Sequence, residues 1–462
     1  MDSKIVDDLV DILGSDWVVS DKSQIGNYLM DETEELMRPK SSENSVVVKP
    51  GDTEEVSKVM KYANDNLISV VPRGGGTGLC GAAIPTEDSI ILSLERLNEI
   101  EEVDDDNLMV TCQAGVTLAD LIERLEDHDK LYFPLHPGDE GAHVGGMVME
   151  NAGGVRAVKH GVMREYVKGL EVVLPNGEVI NLGGKLLKDN AGYDLMHLLI
   201  GSEGTLGVVT KVNLRLYVEP GYSSTLLLSF DSSKDALDVV PKILQEGVRP
   251  LAVEYVPREL ALKSAEHLGK SWPASDGEVD LMIILSEEDE DDVLEMAMDI
   301  EEIAKDFGVV NTLFAEREED QENILDIRSN IYEAIEENIS DTLDAAVPPA
   351  SLPEFIERSR EIAEGYGTSI SCNGHPADGN LHINIPREDG GKPSYLDDLK
   401  EDLYELTLDL GGTVTGEHGI GKTRKKELLM QFSESEIEIM RGIKRAFDPN
   451  NILNPGTIFD GS

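Results

Sequence analysis

Two histidines, His375 and His382, stand seven residues apart in "GHPADGNLH", and an acid–histidine pair, Glu417 and His418, lies downstream in "TGEHGIGK". On one straight strand His375 and His382 would face opposite sides, because side chains alternate with period two. The intervening "PADGN" is full of turn formers, however, and a turn folds "SISCNGH" back beside "LHINI". That puts both imidazoles on one side. Glu417 and His418 lie in a glycine-flanked, extended piece whose neighbouring side chains diverge. Two imidazoles and a carboxylate are a standard set for a divalent cation with open positions. For any one histidine taken alone, the plainer alternative is a satisfied polar contact or a place at the surface.

A second chemical signal is backbone rather than side chain. "VVPRGGGTGLCG", Val70 to Gly81, holds Gly76-x-Gly78-x-x-Gly81, the spacing of a dinucleotide fingerprint. That fingerprint needs a helix straight after the glycines. Here Gly81 is followed by "AAIPTEDSIILSLERL", in which Pro85 blocks helix growth and "SIILSL" reads as a strand. The expected order is the helix "TEEVSKVMKYANDN", the strand "LISVVP", a glycine loop and another strand. A nicotinamide turn therefore fails on context. Bare amides in such a loop can still cradle a phosphate, and Arg73 adds a cationic donor. "HPGDEGAHVGGMVMENAGG" and "GSEGTLGVVTKVNLRL" are further glycine loops, with "GLEVVLPNGEVI" between them reading as a hairpin across Pro-Asn-Gly. One such loop is most simply a tight turn; three in the first half of the chain are not.

The elements that position these groups come from a chain of 462 residues, long enough for two or three domains. Residues 1–218 read as two α+β parts. Residues 219–409 read as an antiparallel sheet covered by helices, with "SKDALDVVPKILQEG" and "EDDVLEMAMDIEEIAKDFG" as helices and "VDLMIILSE" as a strand. Residues 410–462 form an arm that returns to the first part. The start, "MDSKIVDDLVDILGSDW", reads as an acidic amphipathic helix without the basic and apolar regions of a signal peptide. No run approaches 18 apolar residues, so no spanning helix is expected. A cytoplasmic setting follows, with attachment to the inner membrane face left open.

Asp and Glu number 91 against 40 Lys and Arg, a formal charge of −51. The acids are spread along an otherwise apolar-rich chain, unlike a disordered acidic tail. Such charge self-repels in dilute buffer and is screened at molar salt, which points to a salt-rich cytoplasm. It argues against nucleic acid and anionic lipid as partners. Cys80, Cys112 and Cys372 form no CxxC, so a cysteine-held cluster is not expected and buried apolar positions are.

"PRGGGTGLCG", "VGGMVMENAGG", "HGVMREYVKGLEVVLPNGEVI", "AGYDLMHLLIGSEGTLGVVT", "GHPADGNLH", "GGTVTGEHGIG" and "AFDPNNILNPG" occur in that order. Together they resemble the FAD-linked 2-hydroxyacid oxidase/dehydrogenase family of the vanillyl-alcohol-oxidase (PCMH) fold. That family includes D-lactate dehydrogenases, glycolate oxidase flavoprotein subunits and D-2-hydroxyglutarate dehydrogenases. The resemblance runs from about Val46 to the end. It implies an α+β fold with an FAD-binding domain, a substrate (cap) domain and the returning arm. It implies that Arg73, Gly74, Gly75, Gly76, Thr77, Gly78 and Leu79 wrap the pyrophosphate. Pro137, Gly138, Asp139, Val144, Gly145, Gly146, Asn151, Gly153 and Gly154 would follow the flavin, with Glu203, Val208 and Asn454 nearby. It assigns a divalent metal (Zn, Mn or Fe) to His375, His382 and Glu417, the base to His418 and a substrate-carboxylate contact to Arg328, for which a solvated helix arginine is the equal alternative. Relatives with covalent flavin use a His beside the glycine loop; that segment has none here, Cys80 is the only suspect, and the FAD is expected to be non-covalent. His160 stands where many relatives have Tyr, and Pro349 in "VPPAS" where many have a basic residue.

A 2-hydroxy acid needs its carboxylate held and its hydroxyl proton removed as hydride leaves the α-carbon for flavin N5. D-lactate or glycolate is expected ahead of 2-hydroxyglutarate. With no haem motif, cysteine cluster or nicotinamide site visible, the acceptor would be external: a quinone, a cytochrome, an electron-transfer flavoprotein or an iron–sulfur subunit. A homodimer is left open. Two other readings compete: a non-redox FAD enzyme similar to alkylglycerone-phosphate synthase, and a non-enzymatic flavin-binding subunit. The acidic charge fits the first poorly, and the intact "GHPADGNLH" and "GEHGIG" speak against the second.

Overall fold

The structure, a computed structural model, describes residues 1–128 and 130–460. The chain divides into two compact units. One holds Met1–Gly153, Val162–Val218 and Glu417–Ser462; the other holds Gly154–Gly161 and Glu219–Gly416.

In the first unit the opening acidic segment is the helix Ser3–Leu13, capped by the Asp2 side chain, which accepts from Lys4 N–H. The strands Val46–Val48, Ile90–Ser93 and Val70–Arg73 lie parallel in that spatial order. Each begins as a β-branched apolar run, as a strand covered on both faces requires, although Ser93 and Arg73 end two of them. The helix Thr53–Asn66 joins the first of these to the third, starting on the Asp52 cap and ending at Leu67 in the left-handed region. No helix follows the glycine run, so the strand–loop–strand order holds.

A second, five-stranded antiparallel sheet runs in the order Ile100–Asp104, Met109–Gln113, Val208–Arg215, Val167–Val173, Val179–Gly183. Its last two strands are the Pro-Asn-Gly hairpin. Val46, Val48, Val70, Ile90, Leu92, Val110, Val212 and Leu214 meet in one core, each side chain contributing about 1.5–3 kcal/mol by leaving water.

The C-terminal residues belong to this unit through specific bonds. Val70 N–H donates to Ile452 O, and Asn454 N–H to Val70 O, each at 2.7 Å. The buried Lys444 ammonium donates to Thr205 O, Leu453 O and Asp448.

The second unit is built on a seven-stranded sheet, antiparallel throughout. Its order is Asn311–Ala315, Tyr222–Phe230, Val279–Glu287, Ala252–Pro257, Ser371–His375, Asn380–Pro386, Ile339–Ala346. The helices Ser233–Gln245 and Glu290–Lys305 pack on its strands.

Two boundaries differ from the sequence expectation. The second unit extends to Gly416 rather than 409, because Thr413 N–H bonds Ala346 O at 2.8 Å and Gly416 N–H bonds Asp344 O at 2.9 Å. Gly154–Gly161 also joins it, held by Lys159, which donates to Ser286 O and Glu287. Among the described residues no helix is long and apolar enough to cross a membrane.

Candidate active site

The glycine loop leaves the C-terminal end of the strand Val70–Arg73 and turns over the side chain of Arg73. That guanidinium is spent on the fold: Nη1 donates to Met30 O at 2.7 Å and Nη2 to Asn27 O at 2.9 Å. Its Cζ would lie 2.5 Å from a Cβ at Gly76, whose φ of +83° also demands glycine. Arg73 therefore supports the loop from beneath, with a charge near it, rather than reaching out as the free phosphate donor that its position in sequence invites.

The loop forms one wall of a groove with a cavity volume of about 210 Å³. Arg73 to Leu79, Pro137, Asp139, Gly145, Gly146, Gly153, Glu203, Val208 and Asn454 line it, together with Glu417 and His418. Four residues of the expected set lie outside the lining. Gly138 is in a turn at φ +98°. Val144 is fully buried in the core. Asn151 caps the helix Val144–Glu150, its Oδ1 accepting from Arg164 N–H at 3.0 Å. Gly154 belongs to the second unit.

The lining fits a nucleotide cofactor. A methyl at Gly75 would sit 2.7 Å from the backbone atom Gly141 O, so a side chain is excluded there, and one at Gly153 would meet Glu417 Cβ at 3.2 Å. Two lining side chains, His143 and Glu150, each carry a buried polar atom (Nδ1 and Oε2) with no hydrogen-bond partner among the described residues. A bound molecule with polar atoms is what such groups call for.

Two local expectations change. The loop segment has no histidine of its own, but His143 packs against it from another segment; a Cβ at Gly74 would meet His143 Cβ at 3.2 Å. Burial lowers the His143 pKa, with Arg73 reinforcing this against Glu95, so the ring is neutral. Cys80 is fully buried and does not line the groove. Burial, with Glu150 and Glu203 close by, pushes its thiol pKa well up, which makes it a poor nucleophile.

In the second unit the "PADGN" turn closes a hairpin in which Asn373 faces His382 and His375 faces Asn380. The two imidazoles stand edge to face, ring centroids 5.6 Å apart. His375 Nδ1 is 2.6 Å from Glu254 Oε1. As Nδ1–H donates to a carboxylate, Nε2 carries the lone pair suited to a metal. His382 Nδ1 lies 3.8 Å from Asp344 Oδ1, close to a buried acid but beyond hydrogen-bond distance. Asp344 is itself fixed: Asn380 Nδ2 and Thr415 Oγ1 donate to its two oxygens, both at 2.8 Å. Among the described residues His382 belongs to a cluster of groups close enough to hold a metal, and His375 does not. Burial alone would raise the Glu254 pKa, but Arg328 and His375 together hold the carboxyl below its usual range, so it is ionised.

Arg328 is neither a solvated helix arginine nor exposed: its side chain is 12% accessible, and Nε donates to Glu254 Oε2 at 2.7 Å. Glu254 and Asp344 were missed by the sequence reading. Glu254 is the single acid of the strand "AVEYVP", an interruption of an apolar pattern that was an available signal, whereas Asp344 shares "ISDTLDAA" with Asp341 and several polar residues and gave none. His160 ends the helix Ala157–His160. Burial, aided by Lys159 and Arg156, takes its pKa down to about 4.

Known proteins carry both halves. The family described as "FAD binding domain" matches residues 44–183, and "FAD linked oxidases, C-terminal domain" matches residues 219–458. The chain is 43% identical to a D-lactate dehydrogenase of Archaeoglobus fulgidus, over 93% of this chain and 95% of that protein. It is 35% identical to the glycolate oxidase subunit GlcD of Bacillus subtilis, over 89% of this chain and 88% of that one. Among solved structures, p-cresol methylhydroxylase with substrate bound superposes with a TM-score of 0.79 at 19% identity, covering 98% of this chain and 96% of that chain. That likeness establishes the fold, α+β of the vanillyl-alcohol-oxidase type. The chain belongs to the FAD-linked oxidase family, and is a flavoprotein oxidoreductase of that family.

Proposed function

We propose that this protein is an FAD-dependent dehydrogenase that oxidises a small D-2-hydroxy acid to the 2-oxo acid, D-lactate or glycolate ahead of 2-hydroxyglutarate. The observation that carries this reading is the composition of one groove. The glycine loop suited to a pyrophosphate and the Glu417–His418 pair line the same cavity. The D-lactate dehydrogenase and glycolate oxidase relatives support the substrate class.

FAD, when bound, supplies a two-electron acceptor for the hydride of the α-carbon. Gly74 to Gly78 would bind its pyrophosphate through backbone N–H groups, and Gly145, Gly146 and Gly153 would let the ring lie against bare backbone. Asn454, whose Nδ2 donates to Glu203 O and whose Oδ1 accepts from Lys422, would brace the far wall. His418 would take the hydroxyl proton of the substrate. His375, His382 and Glu417 would hold a divalent metal, which would supply Lewis acidity toward that hydroxyl. Glu254 would hold His375 in its metal-binding tautomer, and Arg328 would keep Glu254 charged. Arg328 thereby acts as a positioning residue, in place of the direct contact with substrate carboxylate.

The electrons would leave to an external acceptor, a quinone, cytochrome, electron-transfer flavoprotein or iron–sulfur subunit. The test is product stoichiometry. Protein reconstituted with FAD in molar KCl, given one substrate at a time without oxygen, should form one 2-oxo acid per flavin reduced from the D enantiomer of lactate. Equal turnover of L-lactate, or no oxo acid from any member of a panel of 2-hydroxy acids, would contradict the proposal.

A further inference from the structure

Glu150 ends the helix Val144–Glu150 and lines the groove, and its carboxyl takes no part in the chemistry proposed above. Its Oε2 is shut off from solvent and has no hydrogen-bond partner among the described residues. Side-chain atoms of Glu150, Glu203 and Cys80 lie within 4.8 Å of one another. A Cβ at Gly419 would sit 2.9 Å from Glu150 Oε2 and 3.1 Å from Glu203 Oε1, so both carboxyls converge on one stretch of backbone. Two carboxyls this close and this buried do not both ionise.

The surroundings decide which keeps the proton. Burial raises the Glu203 pKa as well, but Ile420 N–H donates to its Oε1 at 2.9 Å and Gly421 N–H to its Oε2 at 2.5 Å, and with the charges of Lys422 and Arg424 these oppose that rise. Glu203 is equipped to hold the negative charge. Glu150 receives no such donor. Burial first, then the charges of Glu203 and Asp31, push its pKa well above the usual carboxyl range, with only Lys422 opposing. A metal in this cluster is disfavoured, since the Cys80 thiol is held protonated.

We propose that Glu150 keeps its proton and donates it as a hydrogen bond to the cofactor in the groove, which makes it a cofactor-binding residue that the glycine motifs do not reveal. The proposal rests on the FAD reading above. The acceptor is an uncharged atom of the flavin or its ribityl chain, because the neighbouring Glu203 charge repels a phosphate. A neutral carboxylic acid, unlike a carboxylate, can serve there as a donor.

FAD binding to the full-length apoprotein, followed by quenching of flavin fluorescence from pH 6 to 10, tests this in the wild type, Glu150→Gln and Glu150→Ala. Glu150→Ala should weaken FAD binding about tenfold, whereas Glu150→Gln, which keeps an N–H donor, should stay within about threefold. Wild-type affinity should fall as pH rises and the proton is lost. Glu150→Gln should flatten that slope to the part that Lys422 contributes, while retaining Glu203, Cys80, Asp31 and Lys422, the titratable groups facing residue 150. Thermal melting checks that each variant is folded.

Alanine and wild-type proteins of equal affinity, or one pH profile shared by wild type and Glu150→Gln, would overturn the proposal while leaving the FAD reading intact. A folded wild type that takes up no FAD would overturn the FAD reading and this proposal with it.

Discussion

His375 Nδ1 lies 2.6 Å from Glu254 Oε1, and the other oxygen of that wholly buried carboxylate receives the guanidinium of Arg328. One acid thus orients an imidazole and neutralises a cation that has little access to water.

Replacing it separates two consequences. Glu254→Gln frees the His375 tautomer and should lower Zn²⁺ or Mn²⁺ affinity about 10- to 100-fold. It also leaves Arg328 buried without a counter-charge, which should cost about 3–5 kcal/mol of stability. Metal titration of the folded variant by calorimetry checks the first, and denaturant unfolding the second. Unchanged metal affinity in a folded Glu254→Gln would remove the second unit's histidines from the metal reading.

His418 lines the groove, and His418→Asn should preserve FAD binding and the folded state while slowing flavin reduction by about 10²- to 10⁴-fold. Stopped-flow absorbance under anaerobic conditions measures that rate. A variant reduced at the wild-type rate would take the base role away from His418.

At Gly75 there is no room for a methyl group, because Gly141 O is 2.7 Å from where a Cβ would stand, and both atoms are anchored in backbone. Gly75→Ala should therefore displace the loop and weaken FAD binding at least tenfold, by the cost of misplaced backbone donors. Fluorescence titration of the variant reads this directly, and binding as tight as wild type would show that the loop does not grip the cofactor.

Lys422 gives a pH test of the core beneath the groove. Burial depresses its folded-state pKa to about 8, against an ordinary value of 10.5, in spite of the surrounding acids. As pH falls from 10.5 the unfolded lysine takes up a proton first, so this residue reduces stability between about pH 10.5 and 8 and adds no further change below. The full effect is about 3 kcal/mol. Lys422→Met should lose that pH-dependent component in denaturant unfolding at pH 8 and 10. A wild type and variant with parallel pH profiles would contradict a buried, depressed Lys422.

The strand–loop–strand order, the Pro-Asn-Gly hairpin and the His375/His382 hairpin were legible because each is written by local turn chemistry within a dozen residues. What was not legible depends on distant partners. Glu254 reaches His375 across 121 positions, and no periodicity predicts that pairing. Arg73 reads as a phosphate donor because the segment it secures, Asn27 to Met30, is far upstream. His143 joins the glycine loop only in the folded chain. The end of the second unit moved from 409 to 416 because residues 413–416 bond to the strand Ile339–Ala346, a contact that composition cannot announce.

The most direct measurement of the central claim is the visible spectrum of the FAD-reconstituted protein, held without oxygen in molar KCl, as D-lactate or glycolate is added. The account predicts loss of the oxidised-flavin absorbance with one of these substrates and retention with L-lactate. A protein that binds FAD yet keeps its full absorbance with every 2-hydroxy acid, 2-hydroxyglutarate included, would contradict it.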